Sequence, residues 1–146
     1  MLIPNSAAEL ITLSPAWAAL DKYPPSDLVI KTPLIRSTAL AEAAGLDEVW
    51  FKAEYLQTDG SFKVRGALHK LRALLYLKQR PNVYTASAGN HGIGFAIAAR
   101  ELGFTAIIYV PTTTPEVKRQ KIRSAGAILE VAGDNYDESA ANRSVR

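Results

Sequence analysis

Lys63 is the residue of this chain best suited to covalent chemistry. It follows a turn made by Gly60 and Ser61 and begins an apolar pattern at helical spacing that includes Val64 and Leu68. A turn that enters a helix presents the amine on a fixed backbone, and the helix N-terminus disfavours the ammonium form by about 0.3–1 kcal/mol. A lone lysine at such a place is ordinarily a solvated side chain. A rigidly held amine that can lose its proton is also able to form a Schiff base with a carbonyl compound.

A second candidate site is the small-residue turn Ser87-Ala88-Gly89-Asn90-His91-Gly92. It follows a predicted strand and opens a predicted helix, which is where open α/β sheets bind ligands. Its backbone N–H groups and the helix dipole favour an anion such as a carboxylate. The glycine order, Gly-x-x-Gly-x-Gly, is wrong for a dinucleotide-binding turn. The same residues are also consistent with a tight turn that binds no ligand.

The elements that position these residues alternate between helices and strands. Periodicity and punctuation predict helices at 38–44, after Lys63, at 93–102, at 115–124 and after Asp134. They predict strands at 49–53, 82–86, 105–110 and 127–131. Gly45 is the expected C-cap of the first helix, and Thr114 and Asp134 are expected N-caps, with Pro115 at the first helical position. This alternation indicates an α/β fold built from parallel βαβ units.

The two ends of the chain carry weaker signals. Pro15, Pro24 and Pro25 predict an irregular course for the first thirty residues. The helix after Lys63 is expected to end before Pro81. The last helix runs to Arg146 with no capping residue, so we expect the chain to be a fragment of a longer protein.

Composition excludes several classes of function. Of 146 residues, 48% are hydrophobic and 21% charged, as in ordinary globular proteins. The absence of cysteine excludes disulfides and thiolate sites, and two histidines without ligand spacing predict no metal site. The basic stretch from Lys118 to Arg123 has no interleaved aromatic residues, so we expect a solvated helix face and no nucleic-acid binding. With no apolar run near the roughly 20 residues of a membrane span and no secretory signal, we expect a cytoplasmic protein without membrane contact.

Two motifs resemble those of a known enzyme group. The string Gly60-Ser61-Phe62-Lys63-x-Arg65-Gly66, with Glu54 and Gln57 upstream, resembles the cofactor-lysine motif of fold-type-II pyridoxal-phosphate (PLP) enzymes, in the threonine/serine dehydratase group. The downstream string Ser87-x-Gly89-Asn90-His91-Gly92 resembles the substrate loop of that group. The resemblance covers nearly the whole chain. It departs at Asp59, where members commonly carry threonine, and this change is expected to alter packing at the turn rather than the Schiff base.

The resemblance implies a fold, a cofactor and roles for single residues. The fold is the tryptophan-synthase-β-like fold, with residues 1–80 in the large PLP domain, residues 81–146 in the small βαβ domain and the rest of the large domain absent. The cofactor is pyridoxal 5′-phosphate, bound through a Schiff base to Lys63, with Phe62 packed beside it and Asn90 on its 3′-oxygen. The backbone amides of the substrate loop would hold the carboxylate of an amino-acid substrate; these amides belong to Ser87, Ala88, Gly89, Asn90 and His91. The ligands of the phosphate and of the pyridine nitrogen are expected beyond Arg146.

The function implied for the full-length protein is deamination of L-threonine or L-serine to a 2-oxo acid and ammonia, in a homo-oligomer. Asn90-His91-Gly92 favours a dehydratase over cysteine-synthase relatives, which carry threonine after the asparagine. Ala88 disfavours a racemase, because racemases of the group place a proton-donating serine there. Ammonia-lyases that act on other β-substituted amino acids stay open. The other hypothesis is that the 146-residue chain is a folded fragment without activity.

Overall fold

The computed structural model describes residues 27–75 and 82–142, which alternate between helices and strands. The elements in chain order are β1 (Leu34–Arg36), α1 (Thr38–Ala44), β2 (Trp50–Lys52), a 3-10 turn (Glu54–Leu56), α2 (Lys63–Arg72), β3 (Val83–Ala86), α3 (Asn90–Glu101), β4 (Ala106–Val110), α4 (Glu116–Ser124), β5 (Ile128–Val131) and α5 (Tyr136–Asn142). The predicted α/β class is confirmed. The expected irregular start falls mostly outside the described residues, and so does the segment before Pro81.

Three strands form a parallel sheet in the order β3-β4-β5. Helices α3 and α4 make the two crossovers, so the predicted parallel βαβ units are present. All five residues of β4 are buried, because the sheet is covered on both faces. Ile108 and Val110 join the main core with α3 and α4, while Ile107 and Tyr109 pack on the opposite face near Ala140 of α5.

The predicted strand at 49–53 forms a different kind of sheet from the one expected. Its observed part, β2, pairs antiparallel with β1, with Ile35 opposite Phe51. Strand β1 was missed as a strand. Alternation of strands and helices does not fix direction here, because α1 has only seven residues and lets the chain turn back alongside itself. All six residues of this ribbon are exposed.

Helices α2 and α3 pack against each other and thereby join the two halves of the described chain. Val64, Ala67, Leu68 and Leu71 repeat at helical spacing and are all buried on one side of α2. Three of them belong to the same core cluster as Val83 and the apolar residues of α3. This packing carries the start of α2, where Lys63 lies, to the side of α3. The division into domains at residues 80 and 81 stays a prediction.

Two expected helix caps are wrong by one residue. Pro115, not Thr114, is the N-cap of α4, with φ −58° and ψ 142°. The chain is already turning before α4, since the N–H of Thr114 donates to the carbonyl of Pro111, and the Thr114 side chain is buried instead of capping the helix. At α5 the side chain of Asn135 accepts the hydrogen bond from Glu138 N at 3.0 Å, where Asp134 was expected to cap.

No helix in residues 27–75 and 82–142 has the length and apolarity to cross a bilayer. Nor do these ranges bring three histidine or acidic side chains together in a way that could hold a metal ion.

Candidate active site

The turn that precedes α2 is held by a chain of hydrogen bonds that ends on Lys63. The Asp59 carboxylate accepts hydrogen bonds from the N–H and the hydroxyl of Ser61, both at 3.0 Å. The Ser61 hydroxyl in turn accepts from the backbone N–H of Lys63 at 3.2 Å. Gly60 has φ +72°, a value that favours glycine. The backbone of Lys63 is therefore fixed at the first position of α2, as the sequence predicted.

The Lys63 side chain is half-buried and lies against an exposed aromatic ring. Its Nζ atom is 4.6 Å from the centre of the Phe62 ring, and Phe62 is 56% exposed. A planar ligand at the Lys63 amine would meet the face or edge of Phe62, so the two residues share one surface.

Two residues upstream of Lys63, Glu54 and Gln57, help to connect the α2 turn to the N-terminal segment. Arg65 makes a two-pronged ion pair with Glu54, with N–O distances of 2.7 and 2.9 Å, and also donates to the carbonyl of Ile30 at 3.0 Å. The side chain of Gln57 bonds both the N–H and the carbonyl of Ile30, at 3.2 and 2.8 Å. The Arg65 hydrogen bonds lower the pKa of Glu54 to about 2, against opposing burial, and a bond from Thr32 adds to the lowering.

The turn from Ser87 to Gly92 is closed by the Ser87 side chain. The Ser87 hydroxyl accepts hydrogen bonds from the N–H groups of Gly89, at 3.3 Å, and Gly92, at 3.1 Å. A Cβ atom on Gly92 would lie 2.6 Å from the Ser87 carbonyl oxygen, so only glycine fits there. Helix α3 begins at Asn90, three residues earlier than predicted, because this closure lets Gly89 act as the N-cap.

The early start of α3 changes which amides of the turn face a ligand. The N–H groups of Asn90 and His91 occupy the first two helical positions, which have no acceptor within the helix. The N–H of Ser87 instead donates to the carbonyl of Tyr109 at 3.1 Å. Ala88 is half-buried and packs against the main core. Of the amides expected to act together, those of Asn90 and His91 lie at the helix start, whereas those of Ser87 and Gly89 already have acceptors.

His91 connects the Ser87–Gly92 turn to β3, and the charge of Lys63 affects its pKa. Its Nε2 atom is 3.1 Å from the hydroxyl of Thr85, a buried residue of β3, and its ring lies 6.0 Å from that of Phe95. Burial lowers the pKa of His91, and the positive charge of Lys63 lowers it further. The structure therefore brings the Lys63 turn and the Ser87–Gly92 turn to one place, as two separate motifs in the sequence had suggested.

Comparison with known proteins identifies the family. Residues 25–145 match the family described as "Pyridoxal-phosphate dependent enzyme". The chain belongs to this family. It is 40% identical over 115 residues to threonine dehydratase 1 biosynthetic, chloroplastic, of Solanum lycopersicum, a match that covers 79% of the chain and 19% of the relative. It is 38% identical over 109 residues to a catabolic L-threonine dehydratase of Staphylococcus aureus, covering 75% of the chain and 32% of the relative. The chain thus spans between a fifth and a third of these relatives.

Solved structures of the PLP-dependent family share the fold. The processed form of threonine deaminase isoform 2 from Solanum lycopersicum has a TM-score of 0.81 at 31% identity, over 98% of this chain and 38% of that one. Diaminopropionate ammonia lyase from Escherichia coli has a TM-score of 0.73 at 26% identity, over 82% and 38%. Maize serine racemase has a TM-score of 0.74 at 29% identity, over 88% and 37%. Similar folds therefore accompany three different named activities.

The residues present suit the aldehyde side of the family's cofactor. An aldehyde needs an accessible amine on a rigid backbone, which Lys63 provides. A flat pyridine ring needs an apolar surface beside that amine, which the exposed ring of Phe62 offers. Asn90 is exposed at the first position of α3 and carries an amide suited to a ring oxygen. Two residues of this site, Thr85 and Gly94, were missed from the sequence. The third glycine of Gly-x-x-Gly-x-Gly was the available signal for Gly94.

Proposed function

We propose that the full-length protein is a PLP-dependent ammonia-lyase that converts L-threonine or L-serine to a 2-oxo acid and ammonia, with Lys63 as the cofactor lysine. The observation that carries the proposal is that the rigidly held backbone of Lys63 lies against α3, a helix whose first N–H groups have no acceptor within the helix. The identity of 38–40% with threonine dehydratases supports the choice of substrate. A β-hydroxy amino acid has the carboxylate and the α-amino group that such a site can bind.

The cofactor, when bound, would supply electron withdrawal from the α-carbon of the amino acid. The chain's own residues would do the rest. The N–H groups of Asn90 and His91 would bind the substrate carboxylate, and the Asn90 side chain would bind the 3′-oxygen of the cofactor. Lys63, once its amine is free, would take the α-proton. Phe62 would cover one side of the cofactor ring.

In this proposal, the Ser87 hydroxyl takes the place of a substrate oxygen as a hydrogen-bond acceptor within the turn. It accepts hydrogen bonds from Gly89 and Gly92, so the turn keeps its shape before a carboxylate arrives. Ala88 and Gly89 are the remaining residues of the predicted substrate-binding set. They would then determine the shape of the turn more than they would donate hydrogen bonds to the substrate. Ala88 carries no group that could move a proton on the second face of the substrate.

A second candidate function is a related ammonia-lyase or racemase. The similar structures of a diaminopropionate ammonia lyase and of serine and aspartate racemases favour keeping it. The side chain of Ala88 argues against racemisation, since that reaction needs a second proton-transfer group. Assays of the full-length protein with L-threonine, L-serine and diaminopropionate, followed by chiral analysis of the remaining substrate, separate these activities.

The test of the cofactor lysine uses borohydride reduction after incubation with PLP, followed by peptide mapping of the 146-residue chain. The label should fall on Lys63 and be lost in Lys63→Ala. Lys70→Ala is the matched control, because Lys70 is an exposed lysine of the same helix and its removal should leave the label in place. A label that persists in Lys63→Ala would refute the assignment.

Further parts of the proposal concern the whole protein. We propose a homo-oligomer in the cytoplasm, with residues 1–80 in a large domain and residues 81–146 in a small one. The names of the plant relatives specify chloroplasts, so location is to be determined by fractionation. The 146-residue chain spans only part of its relatives, and we propose that alone it shows no dehydratase turnover. Release of 2-oxo acid above the level of Lys63→Ala would contradict this.

A further inference from the structure

Gly94 lies where α3 presses directly on the first turn of α2. A Cβ atom at this position would be 2.6 Å from Oδ2 of Asp59, 2.8 Å from the backbone nitrogen of Val64 and 3.1 Å from the carbonyl carbon of Lys63. Two of these three atoms are backbone and cannot rotate away. Gly94 has an ordinary helical conformation, so space, and not backbone freedom, requires glycine there.

A Cβ atom at Gly66, in the middle of α2, or at Gly89, before α3, would meet no atom within 4 Å. Gly92 is crowded as well, but by Ser87 of its own turn. Among these four glycines, Gly94 is therefore the one at which α3 approaches the Lys63 turn. Gly94 is also buried, so the contact is part of the helix–helix packing.

The same helix carries the proposed carboxylate-binding amides. Gly94 is four residues after Asn90, so both lie on one face of α3 and are separated by about 6 Å along its axis. Because helices move as rigid units over such a distance, the contact at Gly94 determines how far Lys63 lies from the N–H groups of Asn90 and His91.

We propose that Gly94 is a positioning residue that sets the spacing between Lys63 and the carboxylate-binding start of α3. The proposal deepens the proposed function and rests on it for the meaning of the two sites. In Gly94→Ala, the Val64 nitrogen must move by about 0.6 Å, from 2.8 Å to the 3.4 Å at which ordinary contact begins. A misplacement of about 1 Å can cost on the order of a hundredfold in rate, so turnover of the full-length protein per bound PLP should fall roughly tenfold to a hundredfold.

The decisive test measures the spacing without cofactor or substrate. Lys63→Met should raise the pKa of His91, because the positive charge of Lys63 lowers it. That rise, measured by NMR titration of the imidazole, should be smaller in a Gly94→Ala background, since α3 and the Lys63 turn are pushed apart. Gly66→Ala is the control, because it adds the same methyl group to α2 without contact and should leave the rise unchanged.

A double variant keeps the test valid if Gly94→Ala alone does not fold. Asp59→Ala removes the nearest atom, and combined with Gly94→Ala it leaves the two backbone contacts. The rise in the pKa of His91 should remain smaller there than in Asp59→Ala alone. An undiminished rise in the pKa of His91 in the Gly94→Ala background overturns the proposal. A rise that is diminished there but fully restored in the double variant also overturns it, because the effect would then come from the Asp59 carboxylate. Failure of PLP to label Lys63 would contradict the proposed function but leave this spacing measurement intact.

Discussion

The guanidinium group of Arg65 holds the carboxylate of Glu54 by two hydrogen bonds, 2.7 and 2.9 Å long, across eleven residues of chain. The carboxylate side chain is only 19% exposed. Arg65 follows Lys63 by two residues, so the pair anchors the α2 turn to the segment after β2. The contribution of this ion pair to the stability of the fold can be tested by changing the pH, because Glu54 titrates.

Acid should weaken this anchor in a defined range. The pKa of Glu54 falls from 4.5 to about 2 in the folded chain, so its contribution to stability is present above pH 4.5 and is lost as pH falls towards 2. Glu54→Gln should therefore be less stable than the parent chain at pH 7 and show a flatter decline between these values. Urea unfolding at several pH values measures this. Glu48→Gln, which removes an exposed partner of Arg36, should change stability by less than about 0.5 kcal/mol.

His91 should make the chain less stable as pH falls through the ordinary range of histidine. Its pKa is lowered in the folded state, so the unfolded chain binds a proton first and stability decreases as pH falls below about 6.5. In His91→Gln this part of the pH dependence should disappear. Urea midpoints between pH 5 and 8, with His69→Gln as the comparison, provide the measurement. An identical pH profile for His91→Gln and the parent chain would contradict it.

Asn90→Ala should weaken cofactor binding more than it weakens the fold. The side chain is exposed at the start of α3, so its loss should cost less than about 1 kcal/mol of unfolding free energy. Titration with PLP, followed by absorbance, should give a higher Kd. Asn82→Ala, at an exposed asparagine before β3, should leave the Kd unchanged. A loss of several kcal/mol with normal PLP binding would make Asn90 a structural residue.

Ala88→Ser should give the full-length enzyme a measurable racemase activity. The new hydroxyl would stand in the substrate turn, where the present side chain has no proton to give. Chiral chromatography should detect D-serine formed from L-serine above the level of the parent enzyme. Ala88→Gly alters the same position without adding a hydroxyl and should form none. If both variants behave alike, Ala88 does not decide between the two reactions.

Local signals in the sequence were enough to predict the helices around the candidate site. Gly45 and the apolar spacing after Lys63 marked α1 and the start of α2 correctly, because a helix end and a helix face depend on residues close in sequence. The two glycine-containing strings placed Lys63 and the Ser87–Gly92 turn at helix starts. The family followed from the resemblance of these two strings, and the α/β class followed from the alternation of predicted strands and helices.

Contacts between distant residues were beyond such signals. The antiparallel pairing of β1 with β2 depends on how the chain turns back after α1, and the hydrogen bond between Thr85 and His91 depends on where α3 begins. The approach of Gly94 to Asp59 joins residues of two different helices and turns. Helix α3 starts at Asn90, before its predicted start, because the Ser87 hydroxyl accepts hydrogen bonds from two N–H groups of the turn.

The position of β4 has a consequence for how the chain opens. It lies between two strands, and all five of its side chains are buried, whereas every residue of the β1–β2 ribbon is exposed. Backbone amides of β4 should therefore exchange with deuterium only when the whole sheet unfolds, while those of the ribbon exchange through small local fluctuations. Because Ser87 donates its N–H to Tyr109 of β4, the Ser87–Gly92 turn is anchored to the slowest-exchanging strand.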